Sequence, residues 1–182
     1  MIELKQITLV SFGGFEKKFL ARVAEAVAVI LRTKVTVLEE HLDLSEYFDA
    51  ARRQYNGDHI LKEVDRLFPG PSKVIGLFAV DLFIPILTFI YGQAMLNGKS
   101  GVVSLYRLDN QRYGLPKDPE LLFERLVKEI IHELGHTLGL IHCHTPNCVM
   151  RSSTYVEDID QKNARFCSDC QMQLDHSFSS LN

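Results

Sequence analysis

Apolar and polar residues alternate along "IELKQITLVSF" (residues 2–12), the period of a strand that buries one face. Gly13 and Gly14 then give way to "FEKKFLARVAEAVAVILRT", where Phe15, Phe19, Val23, Ala26, Val27 and Ile30 recur at helical spacing. "KVTVLEE", rich in β-branched residues, predicts a second strand. The stretch "SEYFDAARRQYNGDHILKEVDRLF" is polar at first and becomes helical from about Asp58, a candidate cap. "KVIGLFAV" is a continuous apolar run, as a strand buried on both faces requires. "LTFIYGQAML" predicts a fourth strand, "NGKS" a tight turn, and "GVVSLYRL" a fifth strand antiparallel to the fourth.

The strongest helix is "LPKDPELLFERLVKEIIHELGHTLGL". Asp118 can cap it, Pro119 suits its first position and Glu120 favours the positive end. Leu122, Leu126, Ile130 and Leu134 supply its apolar stripe. No internal repeat and no low-complexity linker interrupts the chain, so one domain is expected from its 182 residues.

Composition changes this picture little. With 46% apolar and 24% charged residues the chain reads as an ordinary globular protein. A net charge of −3 and a pI near 6.2 provide no global attraction to nucleic acid or anionic membranes. "VIGLFAVDLFIPILTFIYG" is long enough to ask about a membrane span, but Asp81 and Pro85 interrupt it, and two buried strands around a bend fit better. The opening residues read as a strand and not as a signal peptide. A soluble, cytoplasmic, monomeric protein is expected.

Chemistry concentrates in "HELGHTLGLIHCHTPNCVM". His132 and His136 lie one helical turn apart on one face and can chelate one ion, while Glu133 can reach a water on that ion. Gly139 can adopt a left-handed conformation and turn the chain back, bringing His142 in as a third nitrogen. The complete spacing, from His132 to His142, is that of an extended zinc-peptidase motif. Three neutral ligands leave zinc its full charge, and Glu133 is then the general base for hydrolysis.

All four cysteines follow, as the short-spaced pairs Cys143/Cys148 and Cys167/Cys170. Such pairs argue for metal before disulfide, although disulfides remain the plainer alternative. In an extended segment Cys143 faces away from its neighbour His142, so the four thiols can form a closed, structural zinc site.

His132–Glu133–x–x–His136–x–x–Gly139–x–x–His142, followed at once by Cys143 and then by Cys148, Met150, Cys167 and Cys170, resembles the archaemetzincins. The resemblance implies an α+β, metzincin-like zincin fold: a mixed, twisted five-stranded sheet, two main helices including the active-site helix, and a small zinc-stapled C-terminal subdomain. Residues 1–139 would form the upper subdomain and 140–182 the lower one. It implies two Zn2+ ions per chain: a catalytic one on His132, His136 and His142, and a structural one on Cys143, Cys148, Cys167 and Cys170. Glu133 would be the base and Met150 the methionine of a turn beneath the histidines; otherwise Met150 is an ordinary core residue.

Lesser readings complete the expectation. "TFIYGQAML" could bind an extended peptide along its main chain, with Gly92 admitting another backbone, or be a plain interior strand. His144, between the two clusters, could be a spare ligand but is expected to be solvent-exposed, as are His41, His59 and His176. Glu129 could pair with Arg125, and Tyr155 could reach an oxyanion from the rim or simply pack. The leading function is a zinc metallopeptidase acting on peptides or small proteins. A zinc-stabilised adaptor that binds peptides without cutting them is the alternative, and Glu133 discriminates because a binder needs no base. A zinc-ribbon nucleic-acid module is disfavoured by the charge balance.

Overall fold

A computed structural model describes residues 6–179. In chain order its elements are β1 (Ile7–Ser11), α1 (Lys17–Leu31), β2 (Val35–Glu39), β3 (Phe48–Asp49), β4 (Gln54–Asn56), α2 (Gly57–Leu67), β5 (Lys73–Phe78), β6 (Leu82–Phe83), β7 (Gly92–Ala94), β8 (Ser100–Ser104), α3 (Pro119–Thr137), α4 (Val156–Asp160) and α5 (Ser168–Ser179). Five strands form a sheet in the order β2-β1-β5-β8-β7. Only β7 runs antiparallel to its neighbour, β8.

Strand periodicity explains the layers. Ile7, Leu9, Ile75, Leu77 and Val103 face a core shared with Leu20, Val23 and Val27 of α1 and with Leu126, Ile130 and Leu134 of α3. Val10, Val74, Phe78 and Val102 face the other way, onto Ile60, Leu61 and Val64 of α2. The sheet is therefore covered on both faces, which is why β1, β5 and β8 are apolar on both sides. The helix α2 adds to the two main helices the sequence emphasises.

Several expected boundaries shift for local reasons. Asn56, not Asp58, caps α2 by accepting the His59 amide at 3.2 Å; Asp58 instead accepts Gln93 Nε2 at 2.6 Å. The fourth strand is shorter than "LTFIYGQAML": only Gly92–Ala94 pair with β8. Pro85 sits in a turn closed by Leu87 N to Ile84 O at 3.0 Å, and Leu82–Phe83 pair instead with β4. The fifth strand ends at Ser104, whose hydroxyl donates to the Val80 carbonyl at 2.5 Å and accepts the Tyr106 amide.

Asp81, which interrupts the long apolar stretch, is held by Arg107 through two bonds of 2.8 and 2.6 Å. No helix among the described residues is long and apolar enough to cross a membrane.

Two candidate metal centres and the histidine cleft

The helix α3 begins as the sequence expects: Asp118 accepts the Leu121 amide at 3.0 Å, with Pro119 in the first turn. Its end is decided by Gly139 at φ 93°, where Leu140 N reaches Gly135 O at 3.0 Å and Gly139 N reaches His136 O at 2.9 Å. This pair of bonds is a Schellman closure. It turns the chain back beneath the helix and presents the Leu140 carbonyl to His136.

That carbonyl accepts His136 Nδ1–H at 2.8 Å, and the Val149 carbonyl accepts His132 Nδ1–H at 2.7 Å. A carbonyl can only accept, so both Nδ1 atoms carry the proton and both Nε2 atoms keep a lone pair. The two Nε2 atoms lie 3.1 Å apart. Bare lone pairs at that distance repel, whereas two nitrogens on a tetrahedral zinc would sit about 3.3 Å apart. With His142 the nitrogens of all three residues fall within 4.8 Å of one another. The residues therefore fit a three-nitrogen metal site. Burial holds all three imidazoles below the ordinary histidine value, His132 furthest, and the Lys162 charge acts in the same direction. They are thus kept neutral and ready to bind a cation.

Glu133 is 3% exposed and its Oε2 has no hydrogen-bond partner. Burial raises this carboxyl well above the usual glutamate range; the Glu129 charge adds to the effect and Lys162 opposes it. Glu133 and the three histidines line one cleft of about 670 Å³. Its upper wall is Phe89–Ala94, including β7, and its lower wall includes Ser152, Ser153, Thr154 and Lys162.

Gly92 matters here in a way the sequence does not reveal. A Cβ at that position would lie 2.7 Å from Glu133 Oε1 and 2.9 Å from the Val102 carbonyl. The close approach it admits is made by the Glu133 side chain as well as by a neighbouring strand. Gly135 does the same one layer down, since a Cβ there would collide with the Met150 sulfur. Met150 is fully buried under the helix, and its carbonyl accepts the Cys143 amide at 2.9 Å.

The four cysteines meet as the sequence expects. Cys143 and Cys167 sulfurs are 3.8 Å apart, as are those of Cys148 and Cys170, and all four lie within 4.8 Å. None is in a disulfide. Four sulfurs on a tetrahedral zinc would be separated by about 3.8 Å, so the donor set fits that ion. The Thr145 and Cys167 amides donate to the Cys143 and Cys148 sulfurs, each at 3.4 Å. Burial raises the Cys167 thiol, but bonds from the Cys170 backbone and the neighbouring thiols outweigh it and bring it to about 6. Burial and the same thiol contacts push Cys170 up.

Three lesser expectations fall out differently. Arg125 does not pair with Glu129: it takes Asp160 through two bonds of 2.7 Å, and Glu129 faces Lys162 at 3.4 Å. The end of α4, packed against α3, supplies nearer opposite charges than the helix itself. Tyr155 neither packs nor reaches the cleft; it is 68% exposed and borders a separate hollow with Cys143 and His144. His144, His41, His59 and His176 are exposed, as expected. Sequence reasoning missed Gly135 and Lys162 altogether, because neither carries a motif signal.

The model of Peptidase family M54 matches residues 17–176. Archaemetzincin of Thermococcus kodakarensis is 37% identical over 179 residues, covering 94% of this chain and 96% of the relative. Among solved structures, archaemetzincin of Methanopyrus kandleri aligns with a TM-score of 0.82 and 37% identity over 96% of each chain. A zinc-dependent peptidase from Methanocorpusculum labreanum aligns at 0.86 with 28% identity, over 92% of this chain and 99% of that one. The family match and the likeness in sequence and fold agree: the chain belongs to peptidase family M54, the archaemetzincins, and is a zinc metallopeptidase.

Proposed function

We propose that the chain hydrolyses peptide bonds at His132, His136 and His142, with Glu133 as general base, and that Cys143, Cys148, Cys167 and Cys170 hold a second, structural zinc. The observation that carries this reading is the buried Glu133 Oε2, left without a partner beside three convergent imidazoles. An orphaned buried carboxyl oxygen costs stability, so its presence calls for a functional explanation, and proton transfer is one. A pure peptide binder has no such use for it.

Held by His132, His136 and His142, zinc would supply a Lewis acid and make water a stronger acid. The chain's own residues do the rest. Val149 and Leu140 carbonyls fix the tautomers of His132 and His136. Gly92 leaves room for Glu133, whose free oxygen takes a proton from the attacking water and returns it to the departing amine. Because β7 ends the sheet, its outer edge can pair with an extended substrate main chain. Gly139 divides the chain into an upper part, residues 1–139, and a lower part, residues 140–182, with the cleft between them. Met150 serves as the floor of the histidine site. We read the protein as a cytoplasmic monomer.

Glu133→Ala tests the assignment. It should keep two zinc ions per chain by elemental analysis and lose roughly 10²–10⁴-fold in the rate of any peptide cleaved from an unbiased library. Equal cleavage by both proteins defeats the mechanism. An inert wild type with both metals bound favours a binding protein instead.

A further inference from the structure

Lys162 has no part in the mechanism above, yet its side chain is only 1% exposed and lies in the cleft wall. A buried ammonium has three donors to satisfy and a charge to balance. Its Nζ donates to the Arg151 carbonyl at 2.9 Å and to Glu129 Oε1 at 3.4 Å. The Glu129 side chain is itself 5% exposed. Glu129 and Glu133 are one helical turn apart, so two buried carboxyls face the same cleft from one side of α3. Lys162 is the single lysine or arginine among the residues lining it.

The other partner of Lys162 is equally placed. Arg151 follows Met150, and the segment bearing Lys162 runs beside residues 147–151 through Asn163 N to Asn147 O at 2.9 Å and Val149 N to Arg165 O at 3.0 Å. Val149 is the residue whose carbonyl orients His132. Farther from the cleft, Lys128 Nζ reaches the Ile159 and Asp160 carbonyls at 3.2 and 3.3 Å, and Arg125 holds Asp160. Those contacts dock α4; the Lys162 contact is the one made at the cleft itself.

We infer that Lys162 is a positioning residue of the peptidase site: its ammonium ties the lower cleft wall, through the Arg151 carbonyl, to Glu129 on the active-site helix. The tie fixes the distance between the wall at Ser152–Thr154 and the helix, and with it the Val149 carbonyl that aims His132. The role rests on the reading of this cleft as the hydrolytic site. Removing the ammonium frees the wall and leaves Glu129 as a buried carboxyl without its hydrogen-bonded counter-charge, only the more distant Lys128 remaining, a combination that is costly in a low-dielectric interior.

The test compares wild type, Lys162→Met, Lys162→Arg and the double variant Lys162→Met/Glu129→Met. Two readouts need no substrate: amide hydrogen exchange over residues 149–154 in the zinc-loaded protein, and the visible spectrum of the cobalt-substituted protein. Lys162→Met should bind two metal ions, exchange the 149–154 amides about tenfold faster or more, and shift the cobalt bands. On any peptide the wild type cleaves, kcat should fall roughly 10–100-fold, with part of the loss recovered in Lys162→Arg. The double variant removes the unpaired charge, so it should regain thermal stability yet keep the fast exchange, since the Arg151 carbonyl still lacks its donor. It also serves where Lys162→Met alone does not fold. Wild-type exchange and an unshifted cobalt spectrum in either variant overturn the inference. An inactive wild type counts against the base assignment and leaves both physical readouts to decide on Lys162.

Discussion

The histidine and cysteine clusters meet at consecutive residues, His142 and Cys143, and are built on opposite principles. The histidine cluster borrows rigidity: two ligands ride on α3, their tautomers set by carbonyls from two loops, and one side opens to a cleft of about 670 Å³. The cysteine cluster has no such scaffold. Its members come from a loop, a turn beside Met150 and the start of α5, and they close on one another from all sides. A site that must exchange water needs preformed walls, whereas a site that only staples chain can let its ion create the order. The shared dipeptide joins the two physically, because the loop that carries His142 continues at once into Cys143.

Breaking that joint should have the largest effect. Cys143→Ser is expected to leave one zinc per chain or fewer, and to weaken metal binding at the histidines by roughly 10–100-fold, read by elemental analysis and competition with a chelator. Unchanged occupancy and activity would show the clusters to be independent. A narrower change touches only the open site. Gly92→Ala places a methyl 2.7 Å from Glu133 Oε1, so it should cost about 1–3 kcal/mol by overpacking. Hydrolysis should suffer more than metal content does; a thermal melt with zinc analysis separates the two.

The smallest effect concerns pH. The histidines' folded values lie below 6.5 because burial disfavours their charged forms. As pH drops below 6.5 the unfolded chain takes up protons that the folded chain refuses, so the metal-free protein should lose stability on the acid side of that point. The loss levels off below the folded values. Urea midpoints of metal-free protein should therefore rise with pH through this window, and His136→Gln should flatten the slope. A slope that His136→Gln leaves untouched would place its source elsewhere.

Much of this was legible in the chain because it is local. Helical spacing alone puts His132 and His136 on one face, and the caps at Asp118 and Gly139 follow from the chemistry of helix ends. The antiparallel fifth strand was announced by its turn, in which Asn97 adopts φ 53°. What was misread depends on neighbours far along the chain. The fourth strand reads too long because periodicity cannot tell that Ile90 bridges Leu82 while only Gly92–Ala94 pair with β8. Arg125 and Glu129 looked like an intrahelical pair until the chain brought Asp160 and Lys162 against them.

The sequence by itself determined which side chains could ligate a metal and which one could act as base, since residue type and spacing within a turn or loop settle both. Only the tertiary structure decided what surrounds them. Gly92 beside Glu133, Gly135 over Met150 and the Val149 carbonyl behind His132 are contacts between segments that share no periodicity. Their partners are chosen by close packing of the whole core, where a single methyl group is felt and no short stretch of sequence carries the information.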